Sequence, residues 1–204
     1  MEVSVHYRGL VADIRKIKSI CEELSAIADK MKRRCTLLDE DWSQPADATI
    51  EIIERGSYIT GHLPLKGIAL KLHPKCETRR FLFDSNGILR DPVSMADGSK
   101  YAFEKEDEWI SVKTQYAGAE THIWIIGILK YLKKRYLPDL AVEDEGGYWE
   151  TGNVEALKEK LNFIDEKIAS IKAELSRVIK GHILSYSIDE LASMIEALLH
   201  DKLG

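Results

Sequence analysis

The amino-acid sequence predicts an α+β fold, in which two long helices pack on a largely antiparallel sheet and a C-terminal antiparallel helical hairpin follows. Three patterns support this prediction. Apolar residues recur with the helical period in two segments, β-rich runs with period two lie between those segments, and a heptad pattern begins near residue 154. We therefore divide the chain into an α+β body, 1–152, and a C-terminal hairpin, 153–204, whose first helix is coiled-coil-like.

The composition is that of an ordinary globular protein. Of the 204 residues, 45% are hydrophobic and 31% are charged, which argues against a disordered chain. The net charge is −5 and basic residues alternate with acidic ones, so nucleic acid is not an expected partner.

The sequence also predicts a soluble, cytoplasmic protein with no membrane partner. Its three cysteines are widely spaced and form no CxxC pair, which favours free thiols in a reducing compartment. The first residues lack the order of a signal peptide, and the longest apolar stretch is far shorter than the roughly 20 residues that span a bilayer.

A strand and a helix open the predicted body. Val3 and Val5 alternate with polar neighbours over 2–7, which favours a strand that ends at Gly9. The helix that follows has apolar residues at alternating spacings of four and three. These residues are Leu10, Ile14, Ile17, Cys21, Leu24, Ala28 and Met31. We interpret Cys21 as a thiol of the core, because it belongs to this stripe.

The predicted sheet lies between residues 36 and 114. Its β-rich runs are 49–54, 58–63, 68–72, 81–83 and 109–114. Arg55-Gly56-Ser57 separates the first two runs and indicates a hairpin. Asn86-Gly87 predicts a tight turn after the fourth run, because both residues tolerate positive φ.

A second long helix is predicted over 119–136 and ends before Pro138. Its first half is apolar nearly all round, so it must be buried on more than one side, and we place Trp124 in the core together with Trp42. Gly127 in its middle costs about 1 kcal/mol relative to alanine, which predicts close approach of another backbone.

The C-terminal hairpin carries the most regular pattern in the chain. Asn153 is a favourable N-cap, and apolar residues follow it with heptad spacing at Val154, Leu157, Leu161, Ile164, Ile168, Ile171, Leu175 and Val178. Gly181 ends this helix, and Ser187 and Glu190 form a capping box that opens the next. The narrow seam predicts a homo-oligomer, or burial against a partner helix.

Three polar loops each follow a predicted strand, which for the third loop is a short strand at 140–142. They could converge if the strand ends share one edge. They span 73–77, 115–122 and 143–150. In the first loop, His73 and Cys76 have a spacing that can chelate zinc, with His122, Glu120 or Glu145 as further ligands. The same pair could form a thiolate and its base. The alternative is a turn built on Pro74.

The other two loops contain candidate ligand-binding residues. Gln115, Tyr116 and Gly118 lead into a helix N-terminus, where free N–H groups favour a small anionic ligand. The small residues there could instead allow close packing. Tyr148 and Trp149 follow acids and glycines and could contact a ligand, or could attach the hairpin to the body.

Two hypotheses about function follow. The first is a non-catalytic ligand-binding or protein-interaction protein that self-associates through its C-terminal helices. The second is a metal- or thiol-dependent hydrolase. Its site would join His73, Cys76, Gln115, His122 and Glu145 within about 3 to 5 Å of one another. No cofactor motif is present, so we expect no cofactor, and a metal only under the second hypothesis.

Overall fold

Eight strands and five helices make up the part of the chain that the computed structural model describes, residues 3–53, 56–74, 76–97 and 109–180. The strands are β1 (Ser4–Arg8), β2 (Arg34–Asp39), β3 (Thr49–Ile53), β4 (Gly56–Thr60), β5 (Lys66–Lys71), β6 (Arg79–Phe83), β7 (Ile110–Lys113) and β8 (Ala141–Asp144). The helices are α1 (Lys16–Lys30), α2 (Pro92–Ala96), α3 (Gly118–Arg135), α4 (Tyr148–Thr151) and α5 (Val154–Lys180). The mixture of helices and antiparallel strands confirms the α+β class.

The strands form three separate sheets, so the prediction of one sheet was wrong. Two sheets have three strands, in the orders β7-β1-β8 and β2-β5-β6, and β3 pairs with β4 as a hairpin. All pairings are antiparallel. The sheet β7-β1-β8 is separate from the others because β1 pairs with two strands from the second half of the chain. Ser4 lies opposite Lys113, and Val5 lies opposite Asp144.

Helix α1 packs on the sheet of β2, β5 and β6 through Ile17, Ile20, Leu24 and Ala28. It begins later than predicted, because Leu10 forms a β-bridge to Ile88 instead of joining the helix. Leu10 is 45% exposed, so it does not belong to the buried stripe. Cys21 is half-buried at the edge of this core, and burial raises the pKa of its thiol to about 11.

Helix α3 is buried on more than one side, as predicted, but it keeps one exposed stripe. Ile125, Ile126, Ile128 and Leu129 are all buried in the main core. Glu120, Trp124, Gly127 and Lys130 follow one another at spacings of four and three and are all exposed. The placement of Trp124 in the core was therefore wrong. The close backbone approach expected at Gly127 was wrong too, because a Cβ there would meet nothing within 4 Å.

The beginning of α5 is attached to the body. Asn153 caps it as predicted, because its Oδ1 accepts the N–H groups of Glu155 and Ala156 at 3.0 and 3.1 Å. Leu157 and Leu161 are buried in a small cluster with Val3. The predicted second helix of the hairpin lies outside the described residues. None of the described helices is long and apolar enough to cross a bilayer.

Candidate functional site

Two of the three polar loops meet at a cavity of about 440 Å³, and α5 forms its remaining wall. The first loop contributes His73, and the second contributes the turn between β7 and α3. The lining residues are His73, Gln115, Tyr116, Ala117, Gly118, Ala119, Lys158, Leu161, Asn162 and Asp165. The cavity thus joins a strand-end loop, a helix N-terminus and the side of a second helix.

A short 3-10 turn, Gln115–Ala117, shapes this cavity. The N–H of Ala117 donates to the carbonyl of Thr114 at 3.0 Å, which closes the turn directly after β7. Gln115 is then buried, with 3% of its surface exposed, and Tyr116 is 55% exposed. Gly118 has φ +79 with no atom within 4 Å of a built Cβ, so its backbone conformation, not lack of space, favours glycine.

One buried hydrogen-bond donor at the cavity, the Nε2 of Gln115, has no acceptor in the described part of the chain. The N-cap residue of α3, Ala117, makes no side-chain cap, and the first helical residues Gly118 and Ala119 also line the cavity. A buried donor without a partner costs roughly 1 to 3 kcal/mol, so this arrangement is unfavourable unless another molecule supplies an acceptor.

The polar side chains that α5 brings to the cavity carry little net charge. Lys158 is positive, but its Nζ contacts Glu155 Oε1 at 3.0 Å. Asp165 is negative and Asn162 is neutral. These residues were not predicted as part of a site. Their signal in the sequence was a polar row at spacings of four and three, Lys158, Asn162 and Asp165, directly beside the apolar seam.

His122, a candidate catalytic and metal-binding residue, belongs to a sealed network and does not line the cavity. Its Nδ1 is 2.8 Å from Thr114 Oγ1, and its Nε2 is 3.1 Å from Asp144 Oδ1. The second of these contacts is not well aligned for a hydrogen bond. The side chains of His122 and Asp144 are both fully buried. A substrate in solvent therefore cannot reach the side chains of this network.

Asp144 is also held by the backbone that follows it. Its Oδ1 accepts the N–H of Gly146 at 2.7 Å and its Oδ2 accepts that of Trp149 at 2.8 Å. Burial alone would raise the pKa of Asp144. The nearby imidazole of His122, together with these two N–H groups, outweighs burial and lowers that pKa.

The remaining catalytic candidates are also engaged within the chain. Cys76 is buried, its Sγ donates to the carbonyl of Lys113 at 3.6 Å, and burial raises the pKa of its thiol. Its N–H donates to the carbonyl of His73 at 3.1 Å. This hydrogen bond closes a turn at Pro74, which was the alternative to a zinc or thiolate site. Glu145 accepts the N–H of Ser4 at 2.7 Å.

Of the five proposed catalytic residues, the structure brings only His73 and Gln115 to one cavity. Within residues 3–53, 56–74, 76–97 and 109–180, no group of three or more His, Cys, Asp or Glu side chains is arranged to hold a metal ion.

Tyr148 and Trp149, the aromatic candidates of the third loop, pack between the body and α5. Tyr148 contacts both the main core and the cluster of Leu157 and Leu161. Trp149 packs on the main core, and the Nζ of Lys130 lies 5.5 Å from the centre of its ring. This is the arrangement that the alternative interpretation of the third loop predicted, in which the aromatic pair attaches the C-terminal helix to the body.

A larger cavity of about 830 Å³ lies between α1 and β2, and several of its charged side chains are paired. Lys66 contacts Asp39 at 2.5 Å, and Lys18 contacts Glu22 at 4.0 Å. The cavity beside α3 and α5 differs because one of its lining residues, Gln115, has a buried donor without an acceptor in the described part of the chain.

Comparison with known protein families, with curated proteins and with solved structures finds no match to this chain.

Proposed function

We propose that the chain is a binding protein whose small-molecule site is the cavity between the His73 loop, the N-terminus of α3 and α5. The observation that carries this proposal is Gln115. Gln115 lines the cavity, and its buried amide nitrogen makes no hydrogen bond in the described structure. Native proteins rarely leave a buried donor unsatisfied, so such a group at a cavity indicates an acceptor supplied from outside.

Binding without catalysis is favoured over hydrolysis by the positions of the candidate catalytic groups. A general base must reach its proton at hydrogen-bonding distance, and a nucleophile must be accessible to its substrate. His122 is fully buried, Cys76 is buried and donates to a carbonyl, and neither lines the cavity.

A library of small polar compounds tests the site. Compounds that bind should raise the melting temperature, because a ligand that binds only the folded state stabilises it. Asn162→Trp, which places a large ring in the cavity, should abolish these shifts. Ala156→Trp, on an exposed position of the same helix away from the cavity, should leave them unchanged. Binding that Asn162→Trp does not alter would contradict the proposal.

The second candidate function is self-association through α5. Leu157 and Leu161 are buried against the body, but the heptad pattern continues in sequence to Val178 and the helix extends to Lys180. At 1.5 Å per residue, the part from Leu161 to Lys180 is about 28 Å long. We propose that its seam packs against a second copy of the chain, as in a coiled coil, in a cytoplasmic homodimer.

Light scattering coupled to size-exclusion chromatography, over a dilution series, tests this assembly. Ile168→Lys and Leu175→Lys should convert the dimer to a monomer, since a charge at a seam position opposes burial. Ala169→Lys, at an exposed position between them, is the matched control and should remain dimeric. A wild-type chain that is monomeric at every concentration, or seam variants that remain dimeric, would contradict self-association.

A further inference from the structure

We infer that the ligand of this cavity is a small monocarboxylate, whose carboxylate accepts hydrogen bonds from Gln115 Nε2 and from the first-turn N–H groups of α3. The inference rests on the proposed function of the cavity as a small-molecule site. Two independent features point to an acceptor at the same place. One is the unpartnered amide of Gln115, and the other is the uncapped N-terminus of an 18-residue helix.

The helix N-terminus favours an acceptor with negative charge. Aligned peptide dipoles place roughly +0.5 elementary charge at the start of a helix, and the first N–H groups have no partner inside the helix. No side chain caps α3, and Gly118 brings its backbone to the cavity without a side chain to block access. A carboxylate can accept from these N–H groups and from Gln115 together, since its two oxygens offer about four acceptor positions.

The charge of the lining favours a carboxylate over a phosphate. The formal charges of Lys158 and Asp165 cancel, and Lys158 already contacts Glu155. A phosphate carrying nearly two charges would find a single lysine, Lys158, and no arginine among the described lining residues to neutralise it. A single negative charge can be accommodated by neutral donors and the helix dipole alone.

The rest of the ligand should be short and apolar. Ala117, Ala119 and Leu161 line the cavity and offer no hydrogen-bonding side chain, and Tyr116 adds an aromatic ring at the opening. Contact with these groups removes aliphatic or aromatic surface of the ligand from water, which stabilises the complex. Butyrate and benzoate are therefore suitable probes, with butyramide as the uncharged counterpart of butyrate.

Titrations followed by ¹H–¹⁵N NMR test the inference directly. Butyrate or benzoate should shift the side-chain amide signal of Gln115 and the backbone amides of Ala119 and Glu120. Butyramide and inorganic phosphate should bind on the order of tenfold more weakly, because the charged hydrogen bonds are lost or the charge is excessive. Tighter binding of phosphate, or carboxylate binding that leaves the Gln115 signal unchanged, would overturn the inference.

Variants separate this inference from the proposed function. Gln115→Met preserves length and should weaken butyrate binding about tenfold, whereas Gln44→Met, at an exposed glutamine elsewhere, should not change it. Suppose that neutral compounds bind, that Asn162→Trp abolishes their binding, and that carboxylates do not bind. The carboxylate assignment then fails, but the cavity is still a binding site. If no compound binds in that manner, the proposed function fails. The wild-type NMR titration decides the matter even if Gln115→Met does not fold.

Discussion

Two neighbouring polar regions of this protein begin at the end of β7. They differ in whether the chain itself supplies the partners of their hydrogen-bonding groups. Thr114 and His122 join Asp144 in a fully buried network, in which the chain supplies hydrogen-bond partners for both oxygens of Asp144 and for His122 Nδ1. Gln115, next in sequence to Thr114, is also buried and lines a cavity, and its amide nitrogen makes no hydrogen bond within the described residues. The difference indicates that the first region stabilises the fold and the second is completed by a ligand.

Removing the central carboxylate of the sealed network should have the largest effect. Asp144→Ala leaves His122 and two backbone N–H groups without their acceptor, so we expect a loss of about 3–5 kcal/mol in the free energy of unfolding. Urea denaturation measures it. Glu143→Ala, at the exposed neighbouring position of β8, is the control. A loss below about 1 kcal/mol for Asp144→Ala would contradict a structural role for the network.

The same carboxylate predicts a dependence of stability on pH. The folded-state pKa of Asp144 is lowered, so it lies below the value of about 3.9 in an unfolded chain. Stability from a lowered pKa is present above the unfolded value and is lost as the pH falls through the folded value. The stability difference between wild type and Asp144→Asn should therefore shrink from about pH 6 to about pH 3. A constant difference would contradict this linkage.

Gly146 offers a steric test of how tightly the network is packed. A Cβ at Gly146 would lie 2.8 Å from His122 Cε1, 2.8 Å from Leu157 Cδ1 and 2.9 Å from Asp144 Oδ1. Gly146→Ala should therefore cost about 1–3 kcal/mol. Gly127→Ala is a matched control of opposite sign, since that helical position is open and alanine favours the helix by about 0.5–1 kcal/mol. Equal effects at the two glycines would show that the network tolerates displacement.

Arg79 tests whether a buried unsatisfied group always indicates a ligand. It is 2% exposed, its guanidinium lies 5.4 Å from the centre of the Tyr7 ring, and its Nε and Nη1 make no hydrogen bond within the described chain. Arg79 lines neither cavity described above. Arg79→Met should therefore leave the free energy of unfolding unchanged or raise it by up to about 2 kcal/mol. Arg80→Met, on the same strand, is the control, and a loss confined to Arg79→Met would identify a hidden acceptor.

The smallest change in stability is expected at Gln115. Gln115→Met removes an amide nitrogen that makes no hydrogen bond within the described residues, so the free energy of unfolding should change by less than about 1 kcal/mol. Thr114→Val, one residue away, should lose about 1–2 kcal/mol because Thr114 Oγ1 contacts both His122 Nδ1 and the carbonyl of Val3. If thermal or urea denaturation found Gln115→Met more destabilising than Thr114→Val, the proposed difference between the two regions would be wrong.

The sequence predicted those parts of the fold that depend on neighbouring residues. The three-four spacing located α1, although it placed the start at Leu10 and the helix begins at Lys16. The apolar stretch before Pro138 located α3 closely, and the side chain of Asn153 located the start of α5. The β-rich runs around Arg55 and Gly56 predicted the hairpin of β3 and β4. Each of these elements is specified by a local pattern of side chains, so distant parts of the chain are not needed to recognise it.

The candidate site could be predicted only in part, because it depends on which distant segments meet. Gln115 and Gly118 were recognised from their position before a helix, but nothing local indicates that α5 forms the opposite wall. His122 looked like a loop residue with catalytic potential. Its burial follows from contact with Asp144, which is far away in sequence and whose role no local pattern reveals.

The position of β1 has a consequence for the order in which the protein can form during synthesis. β1 is translated well before its neighbours β7 and β8, because most of the body lies between them in the sequence. Until then Val3, Val5 and Tyr7, all fully buried in the finished fold, have no partner strand. The nascent chain therefore carries an apolar, strand-forming segment that has no partner strand until residue 144 has been translated. This segment should be a preferred binding site for chaperones on the growing polypeptide.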